Sequence, residues 1–497
     1  MRASRAFGLV AAAALLSQPA WAADDDNKAL KAQVEALTRE LRAVSQQSQR
    51  QIKTLQGQVQ DLSRRLDQKT ATETAAAKAP APVPPSVQQA APTPPRPPRD
   101  LADATTPTRD SGSVSGNEEA APRPGNAPID PEYKGFTPLL GTETWIKLSG
   151  YAKIDVIGDS EAVKNPNEFV TNGIPVEGDA DYHRGETATV QTKQSRINLE
   201  LRRPTDFGSL RIVYENDFFG DSTTGAMTYR LRHFYGQLNN ALVGQTFTTF
   251  QDPDVSPDTL DFEGPNALTS LRQAQIRYTF PLIKDQMHLA VAIEQPSSGD
   301  IQLPDNHFAQ TKLPDFAANW RWDFASASHV QVGSVFRWLD QHDSAPGMNK
   351  GDSSAFGWGL NLSAGLATFG SDNILFSGTY GEGVGRYIQD LPLGTAIDHV
   401  NDLKPLPAYG IMAAYRHFWA PDWRSTVTYG YVHSDSLPEQ GTGAYDYTHY
   451  ASANLVWAPT SSSKVGLEYL YGFRETAIGR SGEDNRLQFS MQYTLVK

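Results

Sequence analysis

A chain of 497 residues with 44 Lys and Arg against 56 Asp and Glu carries a formal net charge of -12. That balance argues against a nucleic-acid partner, because such binding depends on basic patches that neutralise phosphate. The absence of cysteine excludes disulfides, thiol chemistry and Cys-ligated metals, and no metal or other cofactor is expected. A length near 500 residues and sharp changes in composition predict at least three parts.

The first part, residues 1–22, reads as a secretory signal peptide. Arg2 and Arg5 precede the apolar run Phe7 to Leu16, and Ala20-Trp21-Ala22 supplies a small-x-small cleavage site. The run is about half of the ~20 residues that a spanning helix needs.

Residues 23–69 carry apolar positions in steps of four and three: Leu30, Val34, Leu37, Leu41 and Val44, then Ile52, Leu55, Val59, Leu62 and Leu66. This is a coiled-coil seam. An extra four-residue step through Ser48 is a stutter that unwinds the supercoil locally. The seam is too narrow to serve a lone helix, so it predicts self-association, with the strand number left open. Residues 70–144 are rich in Ala, Pro, Ser and Thr, including Pro92-Thr93-Pro94-Pro95. Such a stretch builds no core and reads as a disordered tether.

From residue 145 to 497 the period changes to two. Leu487, Phe489, Met491, Tyr493 and Leu495 alternate with Arg486, Gln488, Ser490, Gln492 and Thr494. Ile197, Leu199 and Leu201 alternate with Arg196, Asn198, Glu200 and Arg202. One face suits lipid and the other water, and hydropathy averages miss that pattern, which explains a mean hydropathy of -0.46. Counting such stretches gives about sixteen strands, centred near residues 151, 197, 212, 233, 245, 275, 291, 319, 334, 360, 377, 411, 428, 453, 468 and 491. Their connections are alternately short and long, as in an antiparallel outer-membrane barrel with periplasmic turns and outer loops. Aromatics at strand ends, among them Trp338, Trp358, Trp419, Trp423 and Trp457, predict interfacial girdles.

Parity places Arg196, Arg202, Arg211, Arg230, Arg232, Arg277, Arg321, Arg337, Arg416, Arg474 and Arg486 on the lumen face, since charge on the lipid face costs ~2–4 kcal/mol at the midplane. Guanidinium forks match carboxylate or phosphate, and a ladder of them favours anions. The plainer alternative pairs these arginines with Glu200, Glu215, Glu294 and Glu468. The connection Phe250 to Thr269 carries Asp252, Asp254, Asp258, Asp261 and Glu263 and no basic residue. Folded inward, it would narrow the channel and set a transverse field against the arginines.

Two stretches, Val243-Gly244-Gln245-Thr246-Phe247-Thr248-Thr249-Phe250 and Asp258-Thr259-Leu260-Asp261-Phe262-Glu263-Gly264-Pro265, resemble the DcaP-like outer-membrane porin family, as does the order of signal, coiled coil, tether and barrel. The resemblance implies a homotrimer in the outer membrane with one pore per monomer, passing small anionic organic acids such as dicarboxylates. Phosphate or polyphosphate would suit an arginine ladder equally well. Two other classes compete. A barrel hydrolase finds little support, because His233, His288, His329 and His417 lack evident Ser and Asp partners. A structural anchor would use the N-terminal region to hold peptidoglycan.

Overall fold

The computed structural model describes residues 135–496, apart from 222–223, 298, 304–306, 325–327, 344–352, 392–395 and 399–401. The expected signal peptide, coiled coil and most of the tether lie outside the described residues.

Sixteen antiparallel strands form the wall. They are β1 (Trp145–Asp159), β2 (Arg196–Thr205), β3 (Gly208–Asp217), β4 (Arg230–Leu238), β5 (Ala241–Phe247), β6 (Arg272–Ile283), β7 (Met287–Glu294) and β8 (Asp315–Phe324). The second half comprises β9 (Ser328–Asp343), β10 (Ser353–Ala367), β11 (Asn373–Glu382), β12 (Pro407–Ala420), β13 (Trp423–Ser434), β14 (Tyr445–Thr460), β15 (Ser463–Thr476) and β16 (Ser481–Val496). Each pairs with its neighbour in sequence, and β16 returns to β1 in register Ile154 to Met491. Closure leaves no edge strand, which a bilayer requires because it offers the backbone no water. Every strand centre expected from the alternation falls inside one of these strands.

The period of two reads directly as burial. On β16, Leu487 and Phe489 are exposed at 53% and 41% while Arg486 and Gln488 between them are buried. Ile197, Ile276, Phe316, Leu360, Ile411 and Leu467 continue the outward apolar face around the wall. Trp419, Trp423 and Trp457 stand beside the short turns, where amphipathic rings suit the membrane boundary.

The turns on one side are short. Asn239-Asn240 joins β4 to β5, with Asn239 at φ 50°. Asn tolerates that left-handed geometry, and its Nδ2 donates to the Phe207 carbonyl at 2.7 Å, tying this turn to the one before it. Connections on the other side are longer and structured. Thr187–Gln191 extends the track of β2 along β1 after a break at 192–195, where the sequence suggested only loop. Ile301–Gln302, Ala396–Asp398 and Leu403–Pro405 make a small sheet between two of the long connections.

Candidate functional site

The interior holds the polar half of the alternation, and the named arginines all stand on it. Along β2 to β4 they pair within the wall. Glu200 accepts from Arg202 and Arg211, each at 2.7 Å. Glu215 takes Arg232 at 2.6 Å, with Arg196 at 3.6 Å. Asp217 takes Arg230 at 2.6 Å and Arg232 at 3.0 Å. Cross-strand spacing explains the match: Arg202 faces Arg211, and Asp217 faces Arg230. The Arg232 side chain has no exposure, whereas that of Arg230 keeps 27%. Arg230 also lies 4.8 Å from the ring centroid of Phe262, which stacks at 4.2 Å on Phe219, a cation–π arrangement.

The connection between β5 and β6 does run inside the barrel. Its backbone is received by polar wall side chains: Asn319 Nδ2 donates to Thr249 O at 2.7 Å, Gln331 Nε2 to Gln251 O at 3.1 Å and Asn454 Nδ2 to Asp258 O at 2.5 Å. Lys153 Nζ and Gln488 Nε2 donate to Leu260 O, and the Glu468 carboxylate accepts from the amides of Leu260 and Asp261. Wall glycines make the room. A Cβ at Gly333 would stand 2.6 Å from the Phe250 carbonyl, and one at Gly410 would stand 3.0 Å from Ala267. Inward glycines opposite the loop were the sequence signal that marks its track.

The loop carboxylates lie against wall arginines. Arg321 reaches Asp252 at 3.0 Å and Asp254 at 2.8 Å, Arg424 pairs with Asp258, and Arg486 holds Asp261 at 3.0 Å and Asp159 at 2.6 Å. Much of the expected transverse field therefore closes in direct contacts instead of spanning a gap. Burial alone would raise the Asp252 carboxyl, but His329 and Arg321, with Ser363 donating at 2.7 Å, hold it well below the ordinary carboxylate range. Asp252, Asp254 and His329 have the donor types of a metal site; here the Arg321 guanidinium sits on both carboxylates.

Glu263 behaves differently. Burial, then Glu168, Asp261 and Asp390, push its carboxyl well above the usual value, with Arg230 opposing. Asp390 belongs to the connection after β11, which also enters the barrel, as does the one after β1. Burial raises the Asp390 carboxyl to about 6, although Thr171 Oγ1 at 2.6 Å, Asn172 N at 2.9 Å and Thr448 Oγ1 at 2.8 Å all donate to it. Phe169 packs on Tyr450, and Tyr387 packs on Phe250 with rings 5.6 Å apart. Three connections thus meet inside the lumen where the sequence reading had one.

Arg337 and Arg277 serve other contacts. Arg337 binds Asp300 at 2.9 Å and the Gly383 carbonyl at 2.6 Å, fixing two outer connections to β9. Arg277 donates to Gln275 Oε1 at 2.8 Å and to the Phe247 carbonyl, and lines with Arg321 and Asn319 a small cavity beside the loop. Of the alternative acidic partners, Glu200 and Glu215 take arginines, whereas Glu294 accepts from Thr248, Thr249 and Gln273.

A closed sixteen-stranded barrel with an apolar outer face, a charged interior and an inward loop defines an outer-membrane channel of the porin type. The chain belongs to the DcaP outer membrane protein family, whose profile matches residues 134–495. No curated protein matches it by sequence. Among solved structures it is similar to the outer membrane channel DcaP of Acinetobacter baumannii, at 21% identity over 71% of this chain and 97% of that one, with a TM-score of 0.62. Less similar are a loop-deletion variant of OmpT from Vibrio cholerae (14% identity, 71% and 99% covered, TM-score 0.43) and an anion-selective porin from Comamonas acidovorans (10%, 71% and 100%, TM-score 0.45).

Proposed function

We propose that this channel gives passive, anion-preferring diffusion of small organic acids, dicarboxylates among them, across the outer membrane. The observation that carries the reading is the full or partial burial of the eleven arginines named above, with Arg424, on the polar face of the wall in an acidic protein. Arg230, still 27% exposed, is the leading contact for a passing anion. Arg196, Arg202, Arg232, Arg277, Arg321 and Arg337 set the potential of the wall around it. The β5–β6 connection, with Asp252, Asp254, Asp258, Asp261 and Glu263, sets the aperture. The chain works as a homotrimer, and residues 23–69 assemble in the periplasm, with residues 70–144 as the tether.

The test is the reversal potential across a planar bilayer holding the purified protein under a KCl gradient. Anion preference that falls in Arg230→Gln supports the reading; cation preference overturns it. Arg230 is the informative position because Arg232 is fully buried on Glu215 and Asp217, and its removal would strand two carboxylates. Repeating the gradient with succinate and with phosphate separates carboxylate from phosphate preference.

A further inference from the structure

Three interior cations stand near the short turns on the side of the inner loop that carries Asp258. Arg416 stands on β12, Arg424 on β13 and Lys464 on β15, each within five residues of a turn at 421–422 or 461–462. Arg424 touches the carboxylate of Asp258 in the inner loop, and the charges of Lys464 and Arg416 add to the positive potential there. Arg424 Nε donates directly to Asp258 Oδ2, and Asn454 Nδ2 fixes the backbone beside it by donating to the Asp258 carbonyl at 2.5 Å. Asp258 is 1% exposed, yet its other oxygen, Oδ1, has no hydrogen-bond partner among the described residues. The buried hydroxyl Oγ1 of Thr426, which lies opposite Arg416 across the ladder, has none among them either. A guanidinium aimed at a carboxylate, two further cations and an unused hydroxyl make a seat built for a carboxylate, filled by one from the chain itself.

Beyond its Cβ an aspartate side chain is a carboxylate on a short aliphatic stem, chemically close to acetate. Exchange of Asp258 for a free carboxylate leaves the charge in the seat unchanged. It avoids the penalty of stranding a buried charge. The loop would stay attached meanwhile, because Arg321 holds Asp252 and Arg486 holds Asp261 independently. A diffusion channel also needs sites weak enough to be left, and a tethered competitor at high effective concentration weakens a site without removing its cations.

We propose that Arg416, Arg424 and Lys464 form a carboxylate-binding seat in the lumen on the short-turn side of the inner loop, and that Asp258 occupies it until a permeating small carboxylate displaces it. The proposal deepens the anion-preferring reading and rests on it. The full-length protein is placed in bilayers in KCl and acetate is titrated as a blocker of the chloride current. Asp258→Asn keeps the side-chain shape and removes the competitor, so half-blocking acetate should fall at least ten-fold. Asp206→Asn, in the exposed short turn between β2 and β3, controls for loss of one carboxylate on the short-turn side and should shift it less than two-fold. Adding Arg424→Gln to Asp258→Asn should abolish the gain. Equal shifts in Asp258→Asn and Asp206→Asn, or a gain that survives Arg424→Gln, would overturn the seat. If Asp258→Asn does not insert, Asp258→Ser carries the same test. The KCl reversal potential of the unaltered channel judges the general reading separately, so failure of one is not mistaken for failure of the other.

Discussion

The interior has two electrostatic halves. Along β2 to β4 the cations pair with carboxylates of the wall itself: Glu200, Glu215 and Asp217. Along β8 to β16 three arginines also take partners on the inner loop: Asp252 and Asp254 on Arg321, Asp258 on Arg424, Asp261 on Arg486. In the first half the charges lock neighbouring strands and would persist whatever the loop did. In the second they hold the element that sets the aperture, so one set of contacts fixes loop position and masks wall charge together. Selectivity and constriction are coupled there in a way that composition alone does not suggest.

The largest effect expected from breaking this arrangement is at Arg486, whose side chain is fully buried between Asp159 and Asp261. Arg486→Ala leaves both carboxylates without their cation and should cost ~3–5 kcal/mol, read as a lower denaturant midpoint for loss of the heat-modifiable folded band on gels. Next comes the steric side of the same contact. Gly333→Val would drive a side chain into the Phe250 carbonyl, cost roughly 1–3 kcal/mol through overpacking and alter single-channel conductance by shifting the loop.

Asp390 should give a pH dependence of known sign. Its carboxyl titrates near 3.8 when free and at about 6 in the folded protein because burial disfavours the charge. The proton taken up on docking stabilises the packed connections fully below about pH 4, and that contribution is lost as pH rises through 6. Glu263 shifts in the same direction. Cleavage of the 383–406 connection by an added protease should therefore increase from pH 4 to pH 7, and Asp390→Asn should flatten the trend. The smallest stability effect belongs to Arg230→Gln. With 27% exposure, this partly solvated pair contributes ~1 kcal/mol or less, so the unfolding midpoint should barely move while anion preference falls.

The wall was legible because a two-faced sheet in a membrane imposes a strict period. Arg486 between Leu487 and Asn485, or Arg232 between Leu231 and His233, needed only parity and the expense of charge in lipid to be turned inward. Pairing with Glu200 and Glu215 was legible as the plainer alternative, but pairing with the loop was not, since Arg424 and Asp258 are 166 residues apart and only closure of the barrel brings them together. Loops carry no period, so the inward course of 160–186 and of 384–391 left no pattern of that kind. What did record it is the wall: Gly472 and Gly482 stand where a Cβ would meet Phe169 and the Pro175 carbonyl. A small residue at an inward position, read as a weak strand former, was in fact space reserved for a loop.

Single-channel conductance and reversal potential of the triple variant Asp252→Asn, Asp258→Asn, Asp261→Asn test most directly whether the loop is held by wall cations that its carboxylates also mask. Released from Arg424 and Arg486 and left with only Asp254 on Arg321, the loop should yield a wider channel with stronger anion preference than the unaltered protein. Unchanged conductance and unchanged selectivity in a folded, inserted triple variant would contradict it.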